Sequence, residues 1–370
     1  MFTASDHIWM ARALRLADQG LYTTMPNPRV GCVIVKDGVI VGEGAHLKAG
    51  EPHAEIFALR QAGDQAKGAT AYVTLEPCSH TGLTPPCAEA LIIAGVAKVI
   101  AAMVDPNPIV AGSGLAYLQA HQIEVASGLM QAQAIVLNPG FISRMSSNLP
   151  FVRCKIASSL DGKTALNNGN SQWITSEAAR LDVQKWRAQS CAILTGIGTV
   201  LNDDPAMTVR SENTQRQPLR VIVDSQLSIS PQARILQGGH TLIAFAHDPQ
   251  DKASELLATG AELLSIPAHY DSEHANKESK VCLKTLLRHL AHMQINEVLV
   301  EAGENLNGAL LAQKLIDEFL IYYAPKLMGS GAKGLFALPE LTRMSESITL
   351  EVTELRQIGA DIRLRARPIY

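Results

Sequence analysis

His53-Ala-Glu55, Pro77-Cys78 and Cys87 are the residues of this chain whose types and order suit chemistry. One imidazole and two thiolates make three ligands for a zinc ion. They leave one coordination position open, as a catalytic site requires and a closed structural site does not. Zinc bound this way lowers the pKa of a coordinated water from ~16 to ~7, so hydroxide is available at neutral pH. Glu55 is not needed as a ligand and would take that water's proton and hand it to a leaving group. For any one of these cysteines, a buried free thiol is the plainer alternative. The ordered set with Glu55 and Pro77 favours the metal.

The ligands need elements to hold them. His53 follows Pro52 and opens an apolar-periodic run that Gly63 closes; Cys87 follows Pro85-Pro86 and opens another that Gly95 closes. Both read as helix starts, whose positive ends favour a thiolate. The spacing predicts a strand over 70–75 that delivers Pro77-Cys78. Before it come a helix capped by Ser5 with Ile8, Ala11, Leu14 and Ala17 inward, a turn at Pro26-Asn27-Pro28, and a hairpin of strands 30–35 and 39–42 turning at Asp37-Gly38. After it come a strand over 96–103, a helix over 112–120, a strand over 123–126 and a helix over 130–137. Alternating strands and helices imply an α/β three-layer domain with the ligands at strand ends and helix starts. Asn27, His46 and His80 fall in loops. The Asn27 amide could both donate to and accept from a polar ligand, but spacing alone fits a turn asparagine and exposed loop histidines at least as well.

Composition narrows the class. A length of 370 residues argues for two domains, and 47% hydrophobic content suffices for two cores. Net charge is −3 and Lys/Arg-rich runs are missing, which argues against a nucleic-acid-binding surface. The N-terminal residues lack a secretory pattern, and no run approaches the ~18–20 apolar residues of a membrane span. Six scattered cysteines read as thiols of a reducing cytoplasm rather than a disulfide framework. Loop-forming residues at both ends of 138–150 place a boundary near 145–150, giving domains 1–145 and 150–370.

The second half opens with a strand over 151–157 and a turn at 158–162. Ser176 caps a helix reaching about residue 188, with Glu177 in its first turn and Arg180, Lys185 and Arg187 along it. A buried strand over 191–195 runs into Gly196-Ile-Gly198. This falls short of a dinucleotide fingerprint because Leu201 stands where the third glycine belongs. Strands follow over 219–223 and 241–246. Residues 248–279 read as polar and irregular, and His269, Asp271, Glu273 and His274 there fit a solvated loop better than a metal site. The strand 295–300 runs through Glu301-Ala-Gly303 into a helix. Its N-terminal N–H groups would face a phosphate, with Gly303 and Gly308 permitting close approach; an ordinary strand-turn-helix connection fits as well.

Several of these stretches match one family. His-x-Glu followed by Pro-Cys and a later Cys is similar to the zinc-dependent nucleobase deaminases. More specifically, Met25-Pro-Asn-Pro-Arg-Val-Gly-Cys-Val-Ile-Val35, Gly50-Glu-Pro-His-Ala-Glu55, Thr74-Leu-Glu-Pro-Cys-Ser-His80 and Thr84-Pro-Pro-Cys87 resemble the deaminase half of the bifunctional riboflavin biosynthesis deaminase/reductases. Lys155-Ile-Ala-Ser-Ser-Leu-Asp-Gly-Lys-Thr-Ala165, Ser171-Gln-Trp-Ile-Thr175, Asp203-Asp-Pro-Ala-Met-Thr-Val-Arg210, Val221-Ile-Val-Asp-Ser225 and Glu301-Ala-Gly303 resemble the reductase half.

The resemblance implies a cytidine-deaminase-like α/β/α domain followed by a dihydrofolate-reductase-like α/β domain. It implies a cytoplasmic homo-oligomer, dimer or tetramer, acting on a small pyrimidine ribosyl phosphate with one zinc ion and NADPH. His53, Cys78 and Cys87 would hold zinc, Glu55 would move protons, and Asn27, His46 and His80 would hold the pyrimidine substrate. In the second domain Ala157, Trp173, Thr199, Asp203, Ser225 and the turn Gly303, Glu304, Asn305, Leu306, Asn307, Gly308 and Ala309 would line the NADPH site. Ser171, Arg187, Met207, Arg210 and Glu301 would hold the ribose phosphate substrate, the arginines suiting phosphate by their forked donors. Lys155 would act at the sugar end; as a residue alone it reads equally as a strand-edge charge. One position departs from the family: Leu83 stands where a Lys or Arg usually meets the substrate phosphate, and Lys48 is a candidate substitute.

Overall fold

A computed structural model of the chain describes residues 1–79, 86–210, 216–268 and 280–370. It divides into two units, Met1–Asn148 and Leu149–Tyr370.

In the first unit the elements are α1 (Ala4–Ala17), β1 (Gly31–Lys36), β2 (Val39–Ala45), α2 (Ala54–Ala62), β3 (Thr70–Val73), α3 (Cys87–Ile93), β4 (Lys98–Ala101), α4 (Ser113–Ala120), β5 (Glu124–Ser127), α5 (Gln131–Leu137) and α6 (Pro139–Ser147). The strands form one sheet in the order β2-β1-β3-β4-β5, with β1 antiparallel to both neighbours and β3, β4 and β5 parallel. Successive side chains of a strand point to opposite faces. Cys32 and Ile34 therefore pack against α2, α3 and α4, while Val33 and Val35 pack against α1, α5 and α6. Both faces are covered, which is why β1 reads as an unbroken apolar run.

Three details of this unit differ from the sequence reading. Thr3, not Ser5, caps α1, in a reciprocal capping box with Asp6. The buried stripe of α1 is Met10, Ala13, Leu16 and Ala17, and Ile8 is exposed. Residues 139–147, within the stretch read as a linker, form α6. Pro139 is tolerated at its first position, where no helical N–H is needed, and the left-handed Asn148 ends it.

Glycines set how closely α2 lies on the sheet. A Cβ on Gly42 would fall 2.1 Å from the Ala58 carbonyl oxygen, and one on Gly44 2.1 Å from that of Ala54. Helix backbone thus rests directly on strand backbone, and the start of α2, with His53 and Glu55, is fixed against β2.

The second unit comprises β6 (Phe151–Ser159), α7 (Glu177–Gln189), β7 (Ala192–Gly196), α8 (Ile197–Asp203), β8 (Leu219–Val223), β9 (Thr241–Phe245), α9 (Ala253–Leu257), β10 (Glu262–Ser265), α10 (Leu283–His292), β11 (Glu297–Val300), α11 (Glu304–Ala312), β12 (Glu318–Ala324), β13 (Thr349–Ile358) and β14 (Asp361–Ile369). Its sheet order is β10-β9-β8-β7-β11-β6-β12-β14-β13. Strands β10 to β12 are parallel, and the β13–β14 hairpin closes one edge antiparallel. Helices α10 and α11 cover one face through Leu283, Leu286, Leu287, Leu290, Leu310 and Leu311. The opposite face packs on α8 and α9 through Val200 and Leu256, and on α7 through Ala179 and Val183. The polar stretch after residue 248 is not uniformly irregular: α9 and the edge strand β10 form within it. Residues 269–279, and with them His269, Asp271, Glu273 and His274, lie outside the described residues.

A buried ion-pair network ties α7 to the sheet. Arg153 reaches Glu297 at 3.1 Å and Glu318 at 2.5 Å, Arg365 reaches Glu318 at 2.7 Å, and Arg363 reaches Asp182 at 2.6 Å. The Trp186 ring lies 4.6, 5.5 and 5.3 Å from the guanidinium carbons of Arg153, Arg363 and Arg365. Breaking one member would leave a charge buried and uncompensated, at a cost of about 3–5 kcal/mol. The network thereby fixes the helix that carries Arg187.

Candidate active sites

The start of α2, the loop after β3 and the start of α3 converge in the first unit. His53 caps α2 with extended backbone, and Cys87 is the first residue of α3. His53 Nδ1 lies 3.2 Å from Cys87 Sγ and 3.7 Å from Cys78 Sγ, and all three candidate ligand atoms fall within 4.8 Å of one another. A tetrahedron with zinc–sulfur bonds of ~2.3 Å and zinc–nitrogen bonds of ~2.0–2.1 Å has edges of roughly 3.5–3.8 Å. The His53–Cys78 separation falls in this range and the His53–Cys87 separation just below it, so small side-chain adjustments suit the three residues to such an ion. The Cys87 backbone N–H donates to Cys78 Sγ at 3.3 Å. The Cys87 thiol and then His53 stabilise the Cys78 thiolate, bringing its pKa down to about 4, while that same hydrogen bond and burial push the Cys87 thiol up.

Glu55 stands in the first turn of α2, 3% exposed. Its Oε2 has no hydrogen-bond partner among the described residues. Burial, the largest influence, raises its pKa to about 7, against the lowering pull of His53. A buried carboxylate oxygen left without a partner is costly unless something in the site uses it. A proton shuttle beside an open metal position is such a use.

His46 and Asn27 meet next to the ligands. His46 Nδ1 lies 3.1 Å from the Pro52 carbonyl, its Nε2 lies 3.1 Å from Asn27 Nδ2, and its ring packs edge-on against His53 at 5.2 Å. A carbonyl only accepts, so Nδ1 carries the proton. Burial, despite the Pro52 carbonyl, lowers the His46 pKa and keeps the ring neutral. Nε2 is then a bare acceptor, and the Asn27 amide must present its NH2 to it. That leaves Asn27 Oδ1 as the end of the amide facing other partners. His80 and Leu83 lie outside the described residues.

In the second unit Glu301, directly after β11, is the hub. Arg187 forks onto it, Nε to Oε1 at 2.6 Å and Nη2 to Oε2 at 3.0 Å, and Lys155 Nζ lies 3.7 Å from Oε2. Arg187 also donates from Nη1 to the Thr208 carbonyl at 3.0 Å and approaches Met207 Sδ at 3.7 Å. Four of its five N–H directions are thus taken within the protein. The attraction of Arg187 and then Lys155 outweighs burial and holds Glu301 down to about 2, while burial lowers Lys155. Arg210 is exposed, its backbone N–H bonded to Gln184.

The other positions are placed as follows. Ala157 sits on β6 opposite Tyr322, Thr199 lies in α8, and Ser171 donates to Asp203 at the end of α8 at 3.3 Å. Trp173 is exposed with the Arg180 guanidinium 4.5 Å from its ring, and Ser225 Oγ accepts the Val281 N–H at 3.3 Å. Gly303 caps α11 with open space where a Cβ would stand among the described residues, so the helix N-terminus is approachable by a phosphate. Glu304 accepts from the Gly334 N–H at 3.0 Å, Asn305 is exposed, and Leu306 and Ala309 pack on the core. Gly308 corrects the sequence reading. Its missing Cβ makes room for the Ala337 carbonyl oxygen, which would lie 2.2 Å away, and not for a phosphate. Asn307 is likewise buried, donating to the Ala302 and Leu335 carbonyls.

Sequence reasoning missed Glu76, whose carboxylate gathers backbone N–H groups from residues 105 to 115. Its place beside Pro77-Cys78 was the available signal, but no local spacing pairs it with a loop so far along the chain.

A buried glutamate beside a three-ligand metal cluster makes the first unit a zinc-dependent deaminase domain. Residues 3–103 match the family described as the cytidine and deoxycytidylate deaminase zinc-binding region, and residues 150–364 match the RibD C-terminal domain. The riboflavin biosynthesis protein RibD of Escherichia coli K12 is 51% identical over 96% of this chain and 98% of its own length. A structure of Acinetobacter baumannii RibD superposes with a TM-score of 0.90 at 47% identity, covering 99% of both chains. A diaminohydroxyphosphoribosylaminopyrimidine deaminase/5-amino-6-(5-phosphoribosylamino)uracil reductase from Thermotoga maritima does so with a TM-score of 0.84 at 32% identity, again covering 99% of both. The chain belongs to the RibD family of bifunctional riboflavin-biosynthesis deaminase/reductases, enzymes of one zinc site and one NADPH site.

Proposed function

We propose that residues 1–145 hydrolyse the 2-amino group of 2,5-diamino-6-ribosylamino-4(3H)-pyrimidinone 5′-phosphate and that residues 150–370 then reduce its ribosyl chain to ribityl. The single observation that carries the first step is the unpartnered Glu55 Oε2 buried beside the His53, Cys78 and Cys87 ligand atoms. Zinc, when bound there, acidifies a coordinated water and so supplies the nucleophile. Glu55 accepts one proton of that water at Oε2 and delivers it to the ring nitrogen, then carries the remaining hydroxyl proton to the amine, which departs as ammonia as the carbonyl forms. Asn27, its NH2 engaged by His46, offers Oδ1 to an N–H of the pyrimidine edge; the family resemblance adds His80 as a substrate-holding residue.

For the second step NADPH supplies the hydride that reduces C1′ of the opened sugar. Lys155 holds a proton at Nζ for the sugar oxygen, and Glu301 orients Lys155. Arg187 fixes Glu301 and the segment carrying Met207. Arg210 supplies the exposed fork for the substrate phosphate, and Ser171 bonds the substrate beside Asp203. The α11 N-terminus at Gly303 faces the cofactor phosphates, with Ala157, Trp173, Thr199, Asp203 and Ser225 along its length. The chain acts in the cytoplasm as a homo-oligomer; among the described residues no helix is long and apolar enough to cross a membrane.

The test is Glu55→Gln. The variant is expected to retain zinc, lose deamination by at least ~100-fold, the contribution of a positioned proton-transfer group, and still oxidise NADPH when given the already deaminated intermediate. Chelating zinc from the wild type should have the same selective effect. Products are identified by mass. If both activities fall together while the fold persists, the assignment of the two steps to separate sites is wrong.

A further inference from the structure

We propose that Glu76 is the positioning residue of the zinc site: it fixes Cys78 by tethering the loop after β3 to the N-terminus of α4. This rests on the deaminase reading above. Glu76 is 3% exposed, and its carboxylate accepts four backbone N–H groups. Oε2 takes Asp105 at 3.0 Å and Gly112 at 2.9 Å; Oε1 takes Gly114 at 2.8 Å and Leu115 at 3.1 Å. Helix α4 has a left-handed glycine, Gly112, at its cap and so no capping side chain of its own. Glu76 supplies that cap from another element, its two carboxylate oxygens accepting the N–H groups at the helix's positive end.

The tether is stiff. The Glu76 N–H donates to the Met103 carbonyl at 3.0 Å. A Cβ on Gly114 would lie 1.9 Å from the Pro77 carbonyl oxygen, so the loop backbone rests on the first turn of α4. Ser79 Oγ bonds Ser113 Oγ at 2.7 Å. Only Pro77, with its fixed φ, separates this anchor from Cys78. On the other side the Cys78 carbonyl accepts the Ala88 N–H of α3 at 3.1 Å. Cys78 is thus held between two helix starts, and its 3.7 Å separation from His53 Nδ1 follows from where Glu76 pins the chain.

Gln at this position keeps one acceptor oxygen and turns an NH2 against two N–H donors; Ala removes both oxygens. Zinc affinity of the full chain, measured by chelator competition well below the melting temperature, is expected to fall ~10–100-fold in Glu76→Ala, the range for groups that orient metal ligands. Glu76→Gln should fall between it and the wild type. Deaminase kcat should fall with KM within about twofold, and reduction of the deaminated intermediate by the same sample should be unchanged. In cobalt-loaded protein the thiolate-to-metal absorption should shift in Glu76→Gln. A purely structural residue would lower the melting temperature without moving metal affinity or that absorption. Glu76→Gln is near-isosteric and carries the test if Glu76→Ala does not fold. Wild-type affinity and absorption in Glu76→Gln overturn the proposal, as does a parallel loss of reduction. A wild-type chain that binds no zinc would instead sink the deaminase reading itself.

Discussion

Gly44→Ala puts a single methyl group between β2 and α2, and the structure says how far the helix must move. The new Cβ would stand 2.1 Å from the Ala54 carbonyl oxygen and 2.8 Å from both the Ala58 nitrogen and the Phe57 Cβ. Ordinary contact begins near 3.4 Å. The obstacle is backbone, which no rotamer change relieves, so the start of α2 must retreat by about 1.3 Å. Overpacking of this kind costs about 1–3 kcal/mol, which a domain with ~5–15 kcal/mol of stability survives. The retreat carries His53 and Glu55 away from Cys78 and Cys87, and a displacement of ~1 Å at a reacting centre costs ~100-fold in rate. Deaminase kcat should therefore drop about 100-fold with weakened zinc retention, while reduction of the deaminated intermediate continues at the wild-type rate. Gly38→Ala is the matched control. Gly38 sits at the β1–β2 turn with φ +77° and nothing within 4 Å of the position of a Cβ. An alanine there pays about 1–2 kcal/mol of left-handed strain without pushing on α2. Product mass, metal content and denaturant melts of both variants decide the matter. Wild-type deamination in Gly44→Ala, or equal losses in the two variants, would refute the claim that helix–strand contact sets the ligand geometry.

Glu301→Gln should abolish most reductase activity and destabilise the second unit with a defined pH signature. Its native pKa of about 2 lies below the ordinary 4.5, worth about 3 kcal/mol as an order of magnitude. That stability is fully present above pH ~4.5 and is lost as pH falls toward 2, so the gap between variant and wild type should narrow on acidification; a gap independent of pH would mean that the pairs with Arg187 and Lys155 are not its source. His46 should carry its proton on Nδ1, because the Pro52 carbonyl accepts from it. Nitrogen-15 shifts of the labelled ring read this directly, and a protonated Nε2 would reverse the orientation assigned to the Asn27 amide.

The deaminase centre was legible because its informative residues sit at chain landmarks. Pro52 and Pro86 mark helix starts, and His53 and Cys87 are the first residues beyond them. What the sequence concealed depends on contacts between distant segments. Glu76 bonds backbone N–H groups near residue 112, and backbone donors carry no side-chain signature. Gly308 looks like a phosphate-loop glycine, yet its role is set by Ala337, which no local pattern announces. Arg187 has the right chemistry for a phosphate, but Glu301 and Thr208 claim most of its donors first. The linker reading failed at α6 because Pro-Gly is a breaker inside a helix and tolerable at its first turn. For Gly308 and Arg187 the residue's chemistry was legible and its partner was not. The same asymmetry makes Glu76 and Gly44 better probes than the ligands themselves. Replacing Cys78 tests a motif already visible in the chain, whereas moving Cys78 or His53 through a neighbour tests whether the fold, and not the motif alone, makes the site.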